Sequence, residues 1–276
     1  MNHTLPEMLV ARHTINQYQP PGYDIHCHSF YELYFFISGK ISYHVEGRQY
    51  TPQPQSILLM APNVLHGMKY LENSTYERYV LHFTAQSLPP ETRSFLLAPF
   101  HCRENLYYTK AEEFSFQEHF ESLLACQNLS SDTRRPAERI ALQSLLLLLV
   151  RMSLRSQPPQ PEEKLSPIIS QVLAYLNENL SEELRLDDLA TRFFISKDHL
   201  NRLFHLATGT TIRQYVLYKR TSFAQQRILA GEPAVSAAMA AGFRDYSVFF
   251  RTYKKILGHS PSADKIRLGG ISKPEN

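Results

Sequence analysis

Two fourteen-residue stretches decide how this sequence is read: Ser196–Gly209 (SKDHLNRLFHLATG) and Asp245–Gly258 (DYSVFFRTYKKILG). Each opens on a residue suited to cap a helix N-terminus and ends on a Gly suited to a left-handed C-cap. Between the caps, Leu200, Arg202 and Phe204 recur as Phe249, Arg251 and Tyr253, with the two arginines 49 residues apart. That spacing puts the apolar pair on one helix face and turns Arg to an outward flank. A shorter helix precedes each stretch. Asp187 to Phe194 packs through Leu189, Ala190 and Phe193; the segment from Pro233 packs through Ala237 and Ala238 and turns at Gly242-Phe243. Helix, tight turn and helix is the build of a helix-turn-helix, whose second helix enters the major groove. Two copies in tandem predict two reading heads on one chain.

Charge follows the repeat. Residues 1–160 carry 13 Lys and Arg against 14 Asp and Glu, whereas 192–267 carry 13 against 4, a net of +9. A positive segment of this kind suits a surface that neutralises phosphates. The side chains expected to reach DNA are Ser196, Lys197, Asp198, Asn201 and Arg202 in the first head. In the second they are Tyr246, Ser247, Phe250, Arg251 and Lys254. Asn pairs with adenine, and Arg with guanine or phosphate.

Upstream, the pattern changes from helical to strand-like. From His26 to Phe83 short runs of Tyr, Phe, Ile and Val are bounded by Gly, Pro and Asn. Glu32–Ser38, Lys40–Glu46, Ser56–Met60 and Tyr79–Phe83 read as strands at the spacing of a barrel or jelly roll. His26 and His28, two apart on a strand, share a face with Glu32, and His66 follows the Pro62 turn. Three imidazoles and a carboxylate would suit a divalent metal; they equally suit an organic-ligand pocket or a hydrogen-bond network. The set His26, His28, Glu32, Tyr34 and His66 is assigned to effector binding, with a metal held by His26, His28, Glu32 and His66 as the alternative. Tyr31, Tyr34, Tyr43 and Tyr50 would wall a small polar ligand such as a sugar, or form a sheet core. Cys27 points to the opposite face and belongs to the core. No cofactor is expected.

Between the halves, Glu112–Gln127 carries a helical apolar stripe, and Arg139–Leu154 reads as a second helix, apolar nearly all round from Leu142 to Val150. A hairpin of two such helices is expected to pair with its twin in a homodimer. Ser156 to Pro161 reads as a spacer. The expected division is therefore a barrel over 1–110, a helical hairpin over 111–156, a linker over 157–165 and a DNA-binding domain over 166–267. At 276 residues, 43% hydrophobic and 20% charged, the chain suits two ordinary globular domains. Three Cys (27, 102, 126) without framework spacing, no signal peptide and no long apolar run point to the cytoplasm rather than to secretion or a membrane.

The segment 166–265 resembles the DNA-binding domain of the AraC/XylS family of transcription regulators. Ser196, Leu200, Arg202, Phe204 and Gly209 match its first motif. Gly242-Phe243, Asp245, Ser247, Phe249, Arg251, Lys254-Lys255, Gly258 and Ser260-Pro261-Ser262 match its more specific second signature. His26-x-His28, Glu32 and Gly39 resemble the cupin motif, and the segment 26–83 resembles the family's sensory domain. The resemblance implies an α+β chain: a cupin-like N-terminal barrel with a helical hairpin, then an all-α domain with two helix-turn-helix motifs. It also implies a dimeric activator that binds double-stranded DNA and a small effector and acts on RNA polymerase. The sequence departs from the pattern at Ala237 and Ala241, where larger aliphatics are usual, at Phe250, and at Asp264-Lys265. The small residues predict loose packing of the second head. The rival reading is a metal-dependent cupin enzyme. Against it stands the lack of a phosphate loop, nucleophile elbow or zinc-protease pair.

Overall fold

A computed structural model describes residues 8–15, 24–72, 74–101, 106–155 and 165–264. Ser156–Pro161, Cys102 and Lys265 lie outside the described residues. Among the described residues eight strands form the first half: β1 (Met8–Ile15), β2 (Tyr31–Ser38), β3 (Ile41–Val45), β4 (Arg48–Tyr50), β5 (Ser56–Met60), β6 (His66–Tyr70), β7 (Tyr76–Phe83) and β8 (Tyr107–Tyr108). Helix α1 (Pro90–His101) lies between β7 and β8, and α2 (Phe116–Ala125) and α3 (Ser131–Arg155) follow. The second half is helical: α4 (Pro167–Glu178), α5 (Leu186–Arg192), α6 (Lys197–Thr208), α7 (Ile212–Leu229), α8 (Ala234–Ala240) and α9 (Tyr246–Leu257).

The strands do not close into the expected barrel or jelly roll. They form two open sheets, one of five strands in the order β1-β7-β2-β5-β8 and one of three in the order β4-β3-β6. The end strands β4 and β8 are only three and two residues long. So few residues cannot carry a ladder around a closed circuit. Helices cover what strands leave open. On β2, Phe35 turns to the helices and packs against Phe116 and Phe120, while Tyr34 turns to the small sheet and packs against Tyr43. The five-stranded sheet is thus layered between helices and the smaller sheet, which explains why β2 is buried on both faces. Leu142, Leu145, Leu146 and Leu149 of α3 join this same core. Helix α1 has no signature in the sequence, because its apolar residues lack a clean 3.6 period and it contains Pro99.

A second apolar core crosses between the halves. Cys27 and Leu65 of the strand-rich half pack with Ile169, Leu173, Leu200, Phe204, Ile212 and Tyr215 of the helical half. The β3–β4 hairpin tip seats this contact. Glu46 and Gly47 both have positive φ, as a two-residue I′-type turn requires. A Cβ at Gly47 would stand 2.9 Å from Leu165 Cδ2. A third core joins Ala224 and Ile228 of α7 to Ala237, Ala238, Ala241, Phe243, Phe249 and Tyr253 of the second helix-turn-helix. Its alanines are fully buried. The missing aliphatic volume is supplied by the rings of Phe243, Phe249 and Tyr253, in successive contact at 5.2 Å. The packing is tight, not loose.

Candidate functional site

The two outward helices are built by their caps. Ser196 accepts a bond from His199 N at the start of α6, and Gly209 ends the helix at φ 72°. Asp245 accepts from Val248 N at the start of α9, and Gly258 ends it at φ 76°. Leu200 and Phe204 face inward, as do Phe249 and Tyr253. Ser196, Lys197, Asp198 and Arg202 are exposed on the first helix, and Tyr246, Ser247, Phe250, Arg251 and Lys254 on the second. Lys197 pairs with exposed Asp187 at 2.7 Å. Among the described residues neither Arg202 nor Arg251 has an ion-pair partner, so both guanidinium groups are available to phosphate or base. Asn201 is different: it is half-buried, and its Oδ1 accepts from Ile212 N at the start of α7.

The His and Glu cluster assembles from four separate pieces of chain. His26 bridges His66 through paired backbone bonds, Glu32 stands on β2, and His82 faces it from β7. Glu32 Oε2 lies 2.9 Å from His28 Nε2, 3.3 Å from His66 Nε2 and 3.0 Å from His82 Nε2. His28, Glu32 and His66 are buried, while His26 is exposed at the mouth. Burial pushes the Glu32 carboxyl up, but the imidazoles of His28, His66 and His82 outweigh it and hold the group well below the usual carboxylate range. Burial pushes the His28 imidazolium down to about 4. The Cys27 thiol is raised by burial to about 11, and its side chain faces the helical half instead of the cluster. Tyr34 does not join the imidazoles; its hydroxyl pairs with that of Tyr76, which accepts from Arg78 at 2.6 Å. His82 is not singled out in the sequence; its one signal there is a His within the apolar strand Tyr79–Phe83, and its register with Glu32 comes from the pairing of β7 with β2.

Helix α7 presents one face, Tyr215, Lys219, Ser222, Gln225 and Gln226, to the first half. Lys219 donates to Glu46 and to the carbonyl of Asn63. The Tyr215 hydroxyl lies 2.7 Å from Glu46 Oε2. Ser222 donates to Asn63 Oδ1 at 2.6 Å, and Asn63 Nδ2 to Gln226 at 3.0 Å. Ser29 donates to Gln225 at 2.9 Å, and Gln225 to Asp264 at 3.2 Å. Asp264, fully buried, also accepts from Tyr253 of α9. None of this seam was read from sequence, because its residues lie some 160 to 200 positions apart.

Two capped helices with outward arginines, joined to a sheet domain that holds a buried His and Glu cluster, fit a ligand-responsive DNA-binding regulator. Comparison with known proteins agrees. Residues 12–150 match the AraC-like ligand binding domain and residues 189–265 a helix-turn-helix domain. The chain belongs to the AraC/XylS-type family of transcription regulators, a family of non-catalytic proteins, so the enzyme alternative falls. It is 25% identical over 247 residues to the uncharacterized HTH-type transcriptional regulator YfiF of Bacillus subtilis, covering 86% of this chain and 77% of that one. It is 31% identical over 108 residues to the HTH-type transcriptional activator AarP of Providencia stuartii, covering 39% of this chain and 80% of that one. Among solved structures, the unsaturated fatty acid bound ToxT of Vibrio cholerae is 13% identical, covering 99% of this chain and all of that one, with a TM-score of 0.41. No helix among the described residues is long and apolar enough to cross a membrane.

Proposed function

We propose that this regulator sets α6 and α9 into adjacent major-groove segments about one helical turn apart and activates transcription by contact with RNA polymerase. The single observation that carries the DNA-reading assignment is the matched pair of capped helices, each with an unpaired outward Arg at the same position. The residues assigned to DNA are Ser196, Lys197, Asp198 and Arg202, with Tyr246, Ser247, Phe250, Arg251 and Lys254; Asn201 is left to capping α7. Selection of random-sequence duplexes by the full chain at fixed salt tests it. Enrichment of a motif is expected; binding that only follows salt, with no motif, would refute it.

We further propose a homodimer through the helical hairpin. Ile140, Leu147 and Leu154 are exposed on α3 at seven-residue spacing, a single stripe along the helix. Beside it lies an open cleft of about 500 Å³ lined by residues of α2 and α3, including Ile140. Replacing Leu147 and Leu154 by Glu should yield a monomer in sedimentation; an unchanged mass would remove the stripe from the interface. The effector is assigned to the cluster of His26, His28, Glu32 and His66. A sugar, suggested by the density of tyrosines, has less support. Tyr34, Tyr43 and Tyr50 are each no more than 3% exposed, and of the three only Tyr43 reaches the cluster, its hydroxyl donating to Glu32 Oε1 at 3.5 Å.

A further inference from the structure

The donors of the cluster are oriented in a way that a hydrogen-bond network alone does not satisfy. His26 Nδ1 lies 3.0 Å from the Asp24 carbonyl, His28 Nδ1 3.0 Å from the Phe30 carbonyl, and His66 Nδ1 2.9 Å from the Val64 carbonyl. A carbonyl oxygen only accepts, so Nδ1 carries the proton in each ring; His26 and His66 then keep a bare Nε2 lone pair, while His28 sets its Nε2 2.9 Å from Glu32 Oε2, within hydrogen-bond distance. One ligand atom from each of His26, His28, Glu32 and His66 lies within 4.8 Å of the others. His66 Nε2 is fully buried and has no hydrogen-bond partner, although Glu32 Oε2 is 3.3 Å away. His82 can donate one N–H to Glu32, which steadies the carboxylate but leaves His66 Nε2 unmet. Three imidazoles held outward through Nδ1 and converging with a carboxylate are what a cation requires. An ion about 2.0–2.2 Å from each donor holds its ligands roughly 3 to 4.4 Å apart, close to the spacing present. Three imidazoles and one carboxylate select a first-row transition metal over Mg²⁺ or Ca²⁺.

The ligand segments are also the docking surface for α7. Between His26 and His28, Cys27 packs into the core of the first helix-turn-helix. Beside His28, Ser29 begins the path through Gln225 and Asp264 to Tyr253 in the second. Asn63, three residues before His66, takes a backbone bond to His28 and contacts Lys219, Ser222 and Gln226. Drawing His26, His28 and His66 onto one ion therefore moves the two segments on which both reading heads rest. We propose that His26, His28, Glu32 and His66 bind one divalent first-row transition metal ion, and that this ion is the signal passed through α7 to the DNA-reading helices. The ion site stands on its own geometry; the signalling half rests on the assignment of this cluster as the effector site.

The test uses the full chain, made without a His tag, stripped by chelator and titrated with Zn²⁺ by calorimetry and with Co²⁺ by visible absorption. One ion per chain is expected, with a Co²⁺ spectrum showing nitrogen ligation. His66→Ala and Glu32→Gln should abolish binding. His26→Ala, at the exposed mouth where folding is not at stake, should weaken it roughly tenfold or more. Zn²⁺ should change affinity for the selected duplex about 5-fold to 150-fold. Ser29→Ala should keep the metal and lose most of that change. No stoichiometric ion on the folded, stripped protein, or an ion indifferent to His26→Ala, overturns the site. An ion that binds through these residues but leaves duplex affinity unchanged overturns the signalling half. If the chain binds Zn²⁺ yet selects no duplex in either state, the DNA-reading assignment fails and the ion site survives. If it selects its duplex but takes no ion, the ion site fails and the DNA-reading assignment survives.

Discussion

The two helix-turn-helix units share a sequence pattern but are held in the molecule by different physics. The first shares an apolar core with the sheet domain: Cys27 and Leu65 pack beside Leu200, Phe204 and Tyr215, and the Glu46-Gly47 tip wedges against Leu165 and Leu173. The second shares a small core with α7, without a residue of the sheet domain, and meets that domain through hydrogen bonds at Ser29, Gln225 and Asp264. Apolar contact fixes position without strong direction, whereas a short chain of buried hydrogen bonds is directional and fails as a unit. The first head is therefore anchored and the second adjustable. Their turns differ too. At the left-handed position the second uses Gly242 (φ 87°) and the first uses Phe194 (φ 54°), whose side chain is 97% exposed.

Five substitutions would break or sharpen this contrast, and the largest effect belongs to the anchor. Glu46→Ala leaves the Lys219 ammonium buried without its carboxylate, which costs about 3 kcal/mol or more. Urea denaturation should show that loss, and a change below about 1 kcal/mol would mean the pair is dispensable. Next comes Gly242→Ala. Its Cβ would meet Leu180 O at 2.6 Å and Ser181 Cα at 2.9 Å in a left-handed conformation. A cost of roughly 2–3 kcal/mol is expected, confined to the second head and visible in hydrogen exchange of α8 and α9 with α6 still protected. Equal loss of protection in both heads would deny that they are separate units. Arg202→Ala and Arg251→Ala should each cost about 1–3 kcal/mol of specific DNA binding, with thermal stability unchanged because both side chains are exposed and unpaired. The smallest effect runs the other way. Phe194→Gly relieves a bulky left-handed residue and should stabilise the first head by about 0.5–1 kcal/mol, read as a higher urea midpoint; a lower midpoint would show that the exposed ring has an intramolecular use.

What could be read from the sequence was local. Caps at Ser196 and Asp245, glycines at 209 and 258 and the apolar spacing between them are set by residues within one helix, and the helices stand where that pattern puts them. The strands around β2 and β5 were legible for the same reason. Barrel closure was not, because alternation along a strand says nothing of which edges meet, and here α1 to α3 cover the sheet instead. Within the cluster, His26, His28, Glu32 and His66 converge as strand geometry allows. His82 joins through a cross-strand register that only pairing reveals. The seam on α7 was invisible: Lys219 and Gln225 sit in a polar helix whose burial is created by the sheet domain. Asn201 shows the opposite error, since its polar type and outward phase suited DNA while its amide caps α7.

Two independent reading heads are tested most sharply by duplex selection with the full chain and with its Arg202→Ala and Arg251→Ala variants, side by side at one salt concentration. The wild-type chain should yield a motif of two half-sites about one helical turn apart, with each variant erasing the preference at a different half-site. A motif that both variants leave intact, or that both erase at the same half-site, would contradict two separate readers on one chain.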